Sequence, residues 1–320
     1  MNKFLLSLSA LASIFFMAAC TDNADVEIGP YTVSVIEKNV YHIQDYNSSN
    51  PAGEEFDAEG NKTHFNNCSD MYLIVGKDEA LLLDLSNNIR WADNAVESLR
   101  QLVAERIENK PLTITFTHNH GDHTGMMSAY VNDKEVKFAL PETDFSRLIK
   151  RFPEEQCFFI NEGHVFDLGG IKIETLEVPG HTDGSVVFYM KKGNILFSGD
   201  AIGSGHGVWL YNTDCYRKYD AAVSDLVSWL EDPENGVDIN KMRIYGGHYW
   251  QRDWLPELGD NEMGIQYIRD MQELLKEINA GVPYTEPSNL GRPDLDTYFR
   301  HGSAIIVWNA EQAKQYAAEN

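Results

Sequence analysis

Leu112-Thr113-Ile114-Thr115-Phe116-Thr117-His118-Asn119-His120-Gly121-Asp122-His123 is an apolar, strand-type run that stops and gives way to three histidines and an aspartate within six residues. β-branched and aromatic residues favour a pleated, half-buried strand. Three imidazoles and a carboxylate packed against its exit suit a divalent transition metal better than a structural role.

The chain supplies further donors in the same setting. Val178-Pro179-Gly180-His181-Thr182 places a histidine on a turn behind a strand, and Ile195-Leu196-Phe197-Ser198-Gly199-Asp200 ends a buried strand on glycine and aspartate. Ile244-Tyr245-Gly246-Gly247-His248 ends another on two glycines and a histidine. All four sites stand where a strand stops, so their side chains can converge on one rim of a sheet. Glycine beside a ligand admits close backbone approach and positive φ.

From Met71 to His248, this His-x-His-x-Asp-His cluster followed by single His, Asp and His resembles the metallo-β-lactamase-fold hydrolase superfamily. The resemblance implies an α/β, four-layer αββα sandwich of two mixed β-sheets flanked by helices, with the site between the sheet edges. It implies that His118, His120 and His181 hold one metal, that Asp122, His123 and His248 hold a second, and that Asp200 bridges both. Asp84, ending its strand, matches an aspartate that supports the histidine loop without binding metal. The implied cofactors are two divalent ions, zinc first, with iron or manganese as the alternatives. Two such ions trap a hydroxide by lowering the pKa of water towards about 7. Asp200 and Asp122 are then the catalytic carboxylates, with Asp122 or a metal-bound water as proton donor to the leaving group. Two positions depart from the common pattern. The family's Asp-Thr-Gly is here Asp84-Leu85-Ser86, and the proline after His-Thr is Asp183. Aspartate at 200, where true β-lactamases carry cysteine or serine, makes antibiotic hydrolysis an unexpected main activity.

The first 19 residues have the layout of an export signal: Lys3, an apolar run Phe4–Ala19, and two small residues before Cys20. The run is shorter than the roughly 20 residues a span needs. Phe16-Met17-Ala18-Ala19-Cys20 resembles a bacterial lipoprotein cleavage box, which implies lipid on Cys20 and a chain anchored in the cell envelope, facing the periplasm or the surface. Residues 20–30 read as a tether and 31–320 as a single hydrolase domain. Loss of the leader removes Lys3 and moves the formal charge from −23 to −24. So acidic a chain repels nucleic-acid backbones, whose binding is built on phosphate neutralisation, and it leaves the lipid as the only membrane anchor. Cys68, Cys157 and Cys215 form neither a disulfide framework nor a CxxC metal site and read as small apolar packing residues.

Hydrophobic periodicity predicts strands at 31–36, 39–44, 71–76, 80–85, 112–116, 136–139, 171–178, 185–190, 195–198, 242–245 and, last, 304–308. It predicts helices at 91–107, from about 124, at 216–230 and at 263–278. Asn47 to Asn67 reads as a long loop, of the kind that tends to be functional. His206, on a glycine-rich loop behind Asp200, is a candidate substrate contact, although exposed loop histidines are common. Trp91, Trp209, Tyr211, Trp250 and Trp254 follow presumed rim positions, where they are candidates for an apolar substrate wall, although a core role is the commoner fate.

These readings favour hydrolysis of an ester, lactone or similar bond in a small molecule. A phosphodiesterase or thioesterase of the same fold is the alternative, as is an iron-dependent persulfide or oxygen oxidoreductase. Charge, and the short stretch between Asp200 and His248, argue against a nuclease. A thioesterase of the glyoxalase II kind is disfavoured by a C-terminal segment that is acidic and predicted to end in a strand. A binding protein without catalysis has no physical need for seven costly polar groups in one cleft.

Overall fold

A computed structural model describes residues 26–45, 55–56, 62–64, 69–203, 207–248 and 263–319. The leader and Cys20 lie outside the described residues, as do Cys68, His206, Trp250, Trp254 and most of the long loop. Of that loop the ladder Glu55–Phe56 with Lys62–His64 is described.

The layers follow from strand alternation. Asp70–Val75 and Ala80–Leu83 are buried along their whole length, so both sheet faces must be covered. Leu73, Val75 and Leu82 point into one core with Leu99, Leu102 and Val103 of the helix Ala95–Ile107. Tyr72, Ile74, Leu81 and Leu83 point the other way, into a core shared with Phe188, Phe197 and Tyr245 of the second sheet. Leu196 and Ile244 of that second sheet face a third core with the helices Thr213–Glu231 and Ile265–Asn279. Helix, sheet, sheet, helix results, with three cores between four layers.

The first sheet has eight strands and the second five. In the first, Ala80–Leu83, Leu112–Thr115, Val136–Pro141 and Cys157–Ile160 run parallel as neighbours, so their exits lie at one end. In the second, Ile195–Gly199 runs parallel to Arg243–Gly246. Backbone bonds stitch the two sets of exits together: Val186 N–H donates to the Thr117 carbonyl and Asp70 N–H to that of Gly247, at 2.9 and 2.8 Å.

Several elements differ from the sequence reading. Val26–Ile28, assigned to the tether, pairs antiparallel with the strand Tyr31–Glu37. The first long helix begins at Ala95 rather than Trp91, because Asp93 and Asn94 favour turns over helix interiors, and Trp91 is left exposed. Near Thr124 the chain makes one α turn, Gly121–Thr124, and a 3-10 turn, Met127–Ala129, instead of a full helix. Ala304–Trp308 is not the end: the helix Ala310–Glu319 follows. Ala304–Trp308 also belongs to an additional four-stranded sheet with Val208–Trp209, Thr297–His301 and Tyr284–Pro287. That sheet packs on the third core through Phe299, Ile306 and Trp308.

Candidate metal centre

Each site side chain follows a strand whose buried residues hold its backbone still. Asp84 leaves Ala80–Leu83, the His118 loop leaves Leu112–Thr115, Asp200 leaves Ile195–Gly199 and His248 leaves Arg243–Gly246. His181 sits on the turn between Lys172–Glu177 and Val186–Met190. The donor atoms gather into three overlapping groups, each with its atoms within 4.8 Å of one another: His118, His120 and His181; His118, His123 and Asp200; Asp122, His123 and His248. The Asp200 carboxylate lies in the middle, 3.4 Å from His123 Nε2 and 3.5 Å from both His181 Nε2 and His248 Nε2.

Hydrogen bonds set which imidazole nitrogen faces inward. Asp84 accepts from the Thr117 N–H at 2.7 Å, from the Thr117 hydroxyl at 2.8 Å and from His123 Nδ1 at 3.0 Å. Because the Thr117 hydroxyl is spent on Asp84, His118 Nδ1 donates to its oxygen at 3.0 Å. His181 Nδ1 donates to the Trp209 carbonyl at 3.1 Å. A nitrogen that donates outward leaves Nε2 with a lone pair turned into the site. His120 is turned the other way, its Nδ1 lying 2.9 Å from His181 Nε2. The Nε2 atoms of His118 and His123 are buried and make no hydrogen bond among the described residues, which is costly unless something electrophilic takes the lone pairs.

The electrostatics divide the donors in two. Burial, reinforced by neighbouring imidazoles, holds His118 and His120 below the ordinary histidine range, His120 at about 4, and burial likewise lowers His181. Burial acts the same way on His123 and His248, but Asp200 and Asp122 overcome it and raise both well above that range. Against the effect of burial, His248 and His123 together hold Asp200 well below the carboxylate range, and chiefly His123 and His248 hold Asp122 down. Three neutral imidazoles beside a set whose carboxylates demand positive charge is a donor arrangement that fits two divalent cations.

Glycines make this density possible. A Cβ on Gly247 would meet Asp200 Oδ1 at 2.4 Å and His123 Cε1 at 2.7 Å. Gly199 sits at φ 49°, and a Cβ there would meet Thr117 at 2.5 Å.

Asp144 escaped the sequence reading. Directly behind Val136–Pro141, it accepts from the N–H groups of Asn119 and Gly184 and from the Thr182 hydroxyl, at 2.9, 2.8 and 2.8 Å. It thereby ties the two histidine loops together. Its signal was available, since it is one more acid at a strand exit in the row that carries Asp84 and His118. Asp183, in place of the familiar proline, pairs at the surface with Lys218 at 2.8 Å. Cys157 and Cys215 are free and only partly buried, against cores rather than in the site. Tyr211 reaches the centre, its ring 6.1 and 5.8 Å from those of His120 and His181. Arg292, which nothing in the sequence marked, lies over the Tyr211 ring at 5.2 Å.

Comparison with known proteins agrees with this geometry. Residues 69–255 match the family model described as the metallo-beta-lactamase superfamily. The chain is 29% identical over 263 residues to an atrochrysone carboxyl ACP thioesterase of Aspergillus chevalieri, covering 79% of this chain and 77% of that protein. It is 27% identical over 206 residues to a protein of the same name from Claviceps purpurea, covering 64% of this chain and 58% of that one. A third of that name, from Pseudocercospora fijiensis, is spanned over 48% of its length. Among solved structures, a metallo-beta-lactamase from Pontibacter korlensis shares the fold at TM-score 0.53 and 19% identity, over 77% of this chain and 99% of that one. Another from Erythrobacter litoralis superposes at 0.52 and 16%, over 79% and 100%.

Proposed function

The chain belongs to the metallo-beta-lactamase superfamily, and from that premise we propose that it is a metal-dependent hydrolase of a small-molecule acyl thioester or ester. The carrying observation is the set of three overlapping donor groups within 4.8 Å, built from five imidazoles and two carboxylates. His118, His120 and His181 would hold one divalent ion and Asp122, His123 and His248 the other, with Asp200 between them. Such ions supply polarisation of a carbonyl and a lowered water pKa.

The chain's own groups do the rest. Asp84, Thr117 and the Trp209 carbonyl lock the imidazoles' outer nitrogens, so the inner ones need no reorganisation when substrate arrives. Asp122 is the more exposed of the two site carboxylates, at 23% against 11% for Asp200, and its Oδ2 lies 3.5 Å from His248 Nε2. It is therefore the site carboxylate with more access to solvent and, being held ionised, it would take the proton released by the attacking water and pass it to the leaving group. A leaving thiolate, with a pKa of about 8.5, makes a smaller demand on that acid than an alkoxide does.

The thioester reading draws support from the fungal relatives' names. One objection to it is weakened, because the C-terminal segment ends in the helix Ala310–Glu319 rather than in a strand. The export reading rests on sequence alone: we propose that Cys20 carries lipid and anchors the enzyme in the cell envelope. Absence of label on the purified chain after growth with a radioactive fatty acid would refute that.

The test of activity is metal quantification on purified protein, then a panel of aryl thioesters, esters, lactones, phosphodiesters and a β-lactam. About two divalent ions per chain and fastest cleavage of a thioester or ester are expected. Faster phosphodiester cleavage, or bound iron with oxygen uptake and no acyl hydrolysis, overturns the reading. Asp200→Ala should lose metal and turnover together while keeping its fold by circular dichroism. Full activity in that variant would refute the shared carboxylate.

A further inference from the structure

One wall of the centre is held in place by residues beyond the matched 69–255 span. Val208–Trp209 pairs in parallel with Ala304–Trp308, and the Leu210 N–H donates to the Val307 carbonyl at 2.9 Å. That pairing fixes the segment through Tyr211 to the C-terminal sheet, while the Trp209 carbonyl holds His181 from the other side. Between Tyr284–Pro287 and Thr297–His301 the same sheet projects a loop that carries Arg292. The loop is anchored at both ends. Ser288 N–H donates to the Asp296 carbonyl at 2.7 Å, the Tyr298 hydroxyl donates to Asn289 Oδ1 at 2.7 Å, and Leu295 is fully buried. Gly291 turns the chain at φ 67° just before Arg292.

The guanidinium is thereby placed 5.2 Å from the centre of the Tyr211 ring and 6.0 Å from that of Trp209. Asp294 takes its Nε at 3.2 Å and its Nη2 at 2.6 Å, and Nη1 makes no hydrogen bond among the described residues. The side chain remains 45% exposed. The Tyr211 ring thus lies between the imidazoles of His120 and His181 on one side of the contact chain and a positive fork on the other.

Resting on the acyl-hydrolase reading for the chemistry at the metals, the geometry points to Arg292 and Tyr211 as the subsite for an aromatic acyl group bearing a carboxylate. The ring lies against Tyr211 and Trp209, whose faces suit aromatic contact, while the carboxylate takes the vacant edge of the guanidinium. Arg suits this task better than Lys, because its planar fork pairs with a carboxylate and stacks on rings at the same time.

The test uses binding, independent of turnover. Equilibrium dialysis of zinc-loaded wild-type protein and of Arg292→Met would measure naphthalene-1,4-dicarboxylate monomethyl ester and its uncharged dimethyl counterpart. The charged probe should bind on the order of tenfold more weakly to Arg292→Met, as expected for a lost charge-assisted pair, with the uncharged probe changed less than twofold. Arg292→Lys should recover only part of the difference. Equal loss for both probes, no loss for either, or no binding of the charged probe to wild-type protein overturns the assignment. A chain that discriminates the probes yet cleaves no acyl substrate would instead discard the hydrolase reading.

Discussion

At Asp84 the backbone sits at φ 62° and at Ser86 at φ 53°, both in the left-handed region that costs a non-glycine residue about 1–2 kcal/mol. The Ser86 hydroxyl offsets that cost by donating to Asp45 Oδ2 at 2.5 Å. Asp84 is held by its three donors, and that grip aims His118 and His123 together. Asp84→Asn keeps a residue tolerant of this backbone but gives up one carboxylate oxygen. It should weaken metal binding about 10–100-fold while barely moving the melting temperature; unchanged affinity in a competitive chelator titration would refute its role. Asp45 is buried and accepts from the N–H groups of Ser69 and Asn87 as well as from Ser86. Burial pushes its carboxyl up to about 7, against the pull of those bonds. A folded-state pKa raised above the unfolded value lends stability that is whole below about pH 4 and is lost as pH rises through about 7. Asp45→Asn should therefore lack that decline when urea unfolding is followed across the range. Parallel profiles for the two proteins would exclude the effect. Asp84 was legible in the sequence because it ends a strand in a fixed relation to the histidine cluster. Asp45 was not, because nothing in local spacing reports which backbone amides will surround a carboxylate after folding.

The elements that were legible are those buried on both faces or amphipathic at a steady helical step. Asp70–Val75, Ala80–Leu83 and Ile265–Asn279 carry apolar residues at most positions that meet a core. Short edge strands give no such pattern: Phe158 and Phe159 of Cys157–Ile160 and Tyr284 of Tyr284–Pro287 remain well exposed. The additional sheet was therefore read only through Ala304–Trp308, its one fully buried strand. Trp308 is the joint between that sheet and the helix Thr213–Glu231, stacked on Tyr216 at 4.5 Å and 6° and covered by Tyr316. Trp308→Ala should cost about 3–5 kcal/mol of stability through the cavity it leaves. It should also weaken the binding of aromatic probes, since Val208–Trp209 is held against this strand. Urea unfolding checks the first effect and dialysis the second. A loss under about 1 kcal/mol would mean that the helix and the sheet pack independently of this ring.

Across the whole molecule, an excess of acid is matched by a site that concentrates carboxylates where cations would neutralise them. The formal charge is −23, and Asp84 and Asp200 are buried on either side of one imidazole, 3.0 Å from His123 Nδ1 and 3.4 Å from its Nε2. The polar groups of the centre come from both sheets, so ions held there would link the two halves of the sandwich as well as serve chemistry. A ligand that binds only the folded chain stabilises it by about 2.7 kcal/mol at a hundred times its dissociation constant. For a domain of this size, each kcal/mol moves the melting temperature by roughly 2–4 °C. Stripping divalent ions with a chelator should therefore lower the melting temperature by about 5–10 °C, and added zinc should restore it. Asp200→Ala serves as the control: having lost the carboxylate between the two donor sets, it should melt at nearly the same temperature with and without chelator. A wild-type protein indifferent to chelation after its metal content has fallen to zero would mean that the two sheets hold together without help from the centre. The imidazoles would then be arranged for catalysis alone.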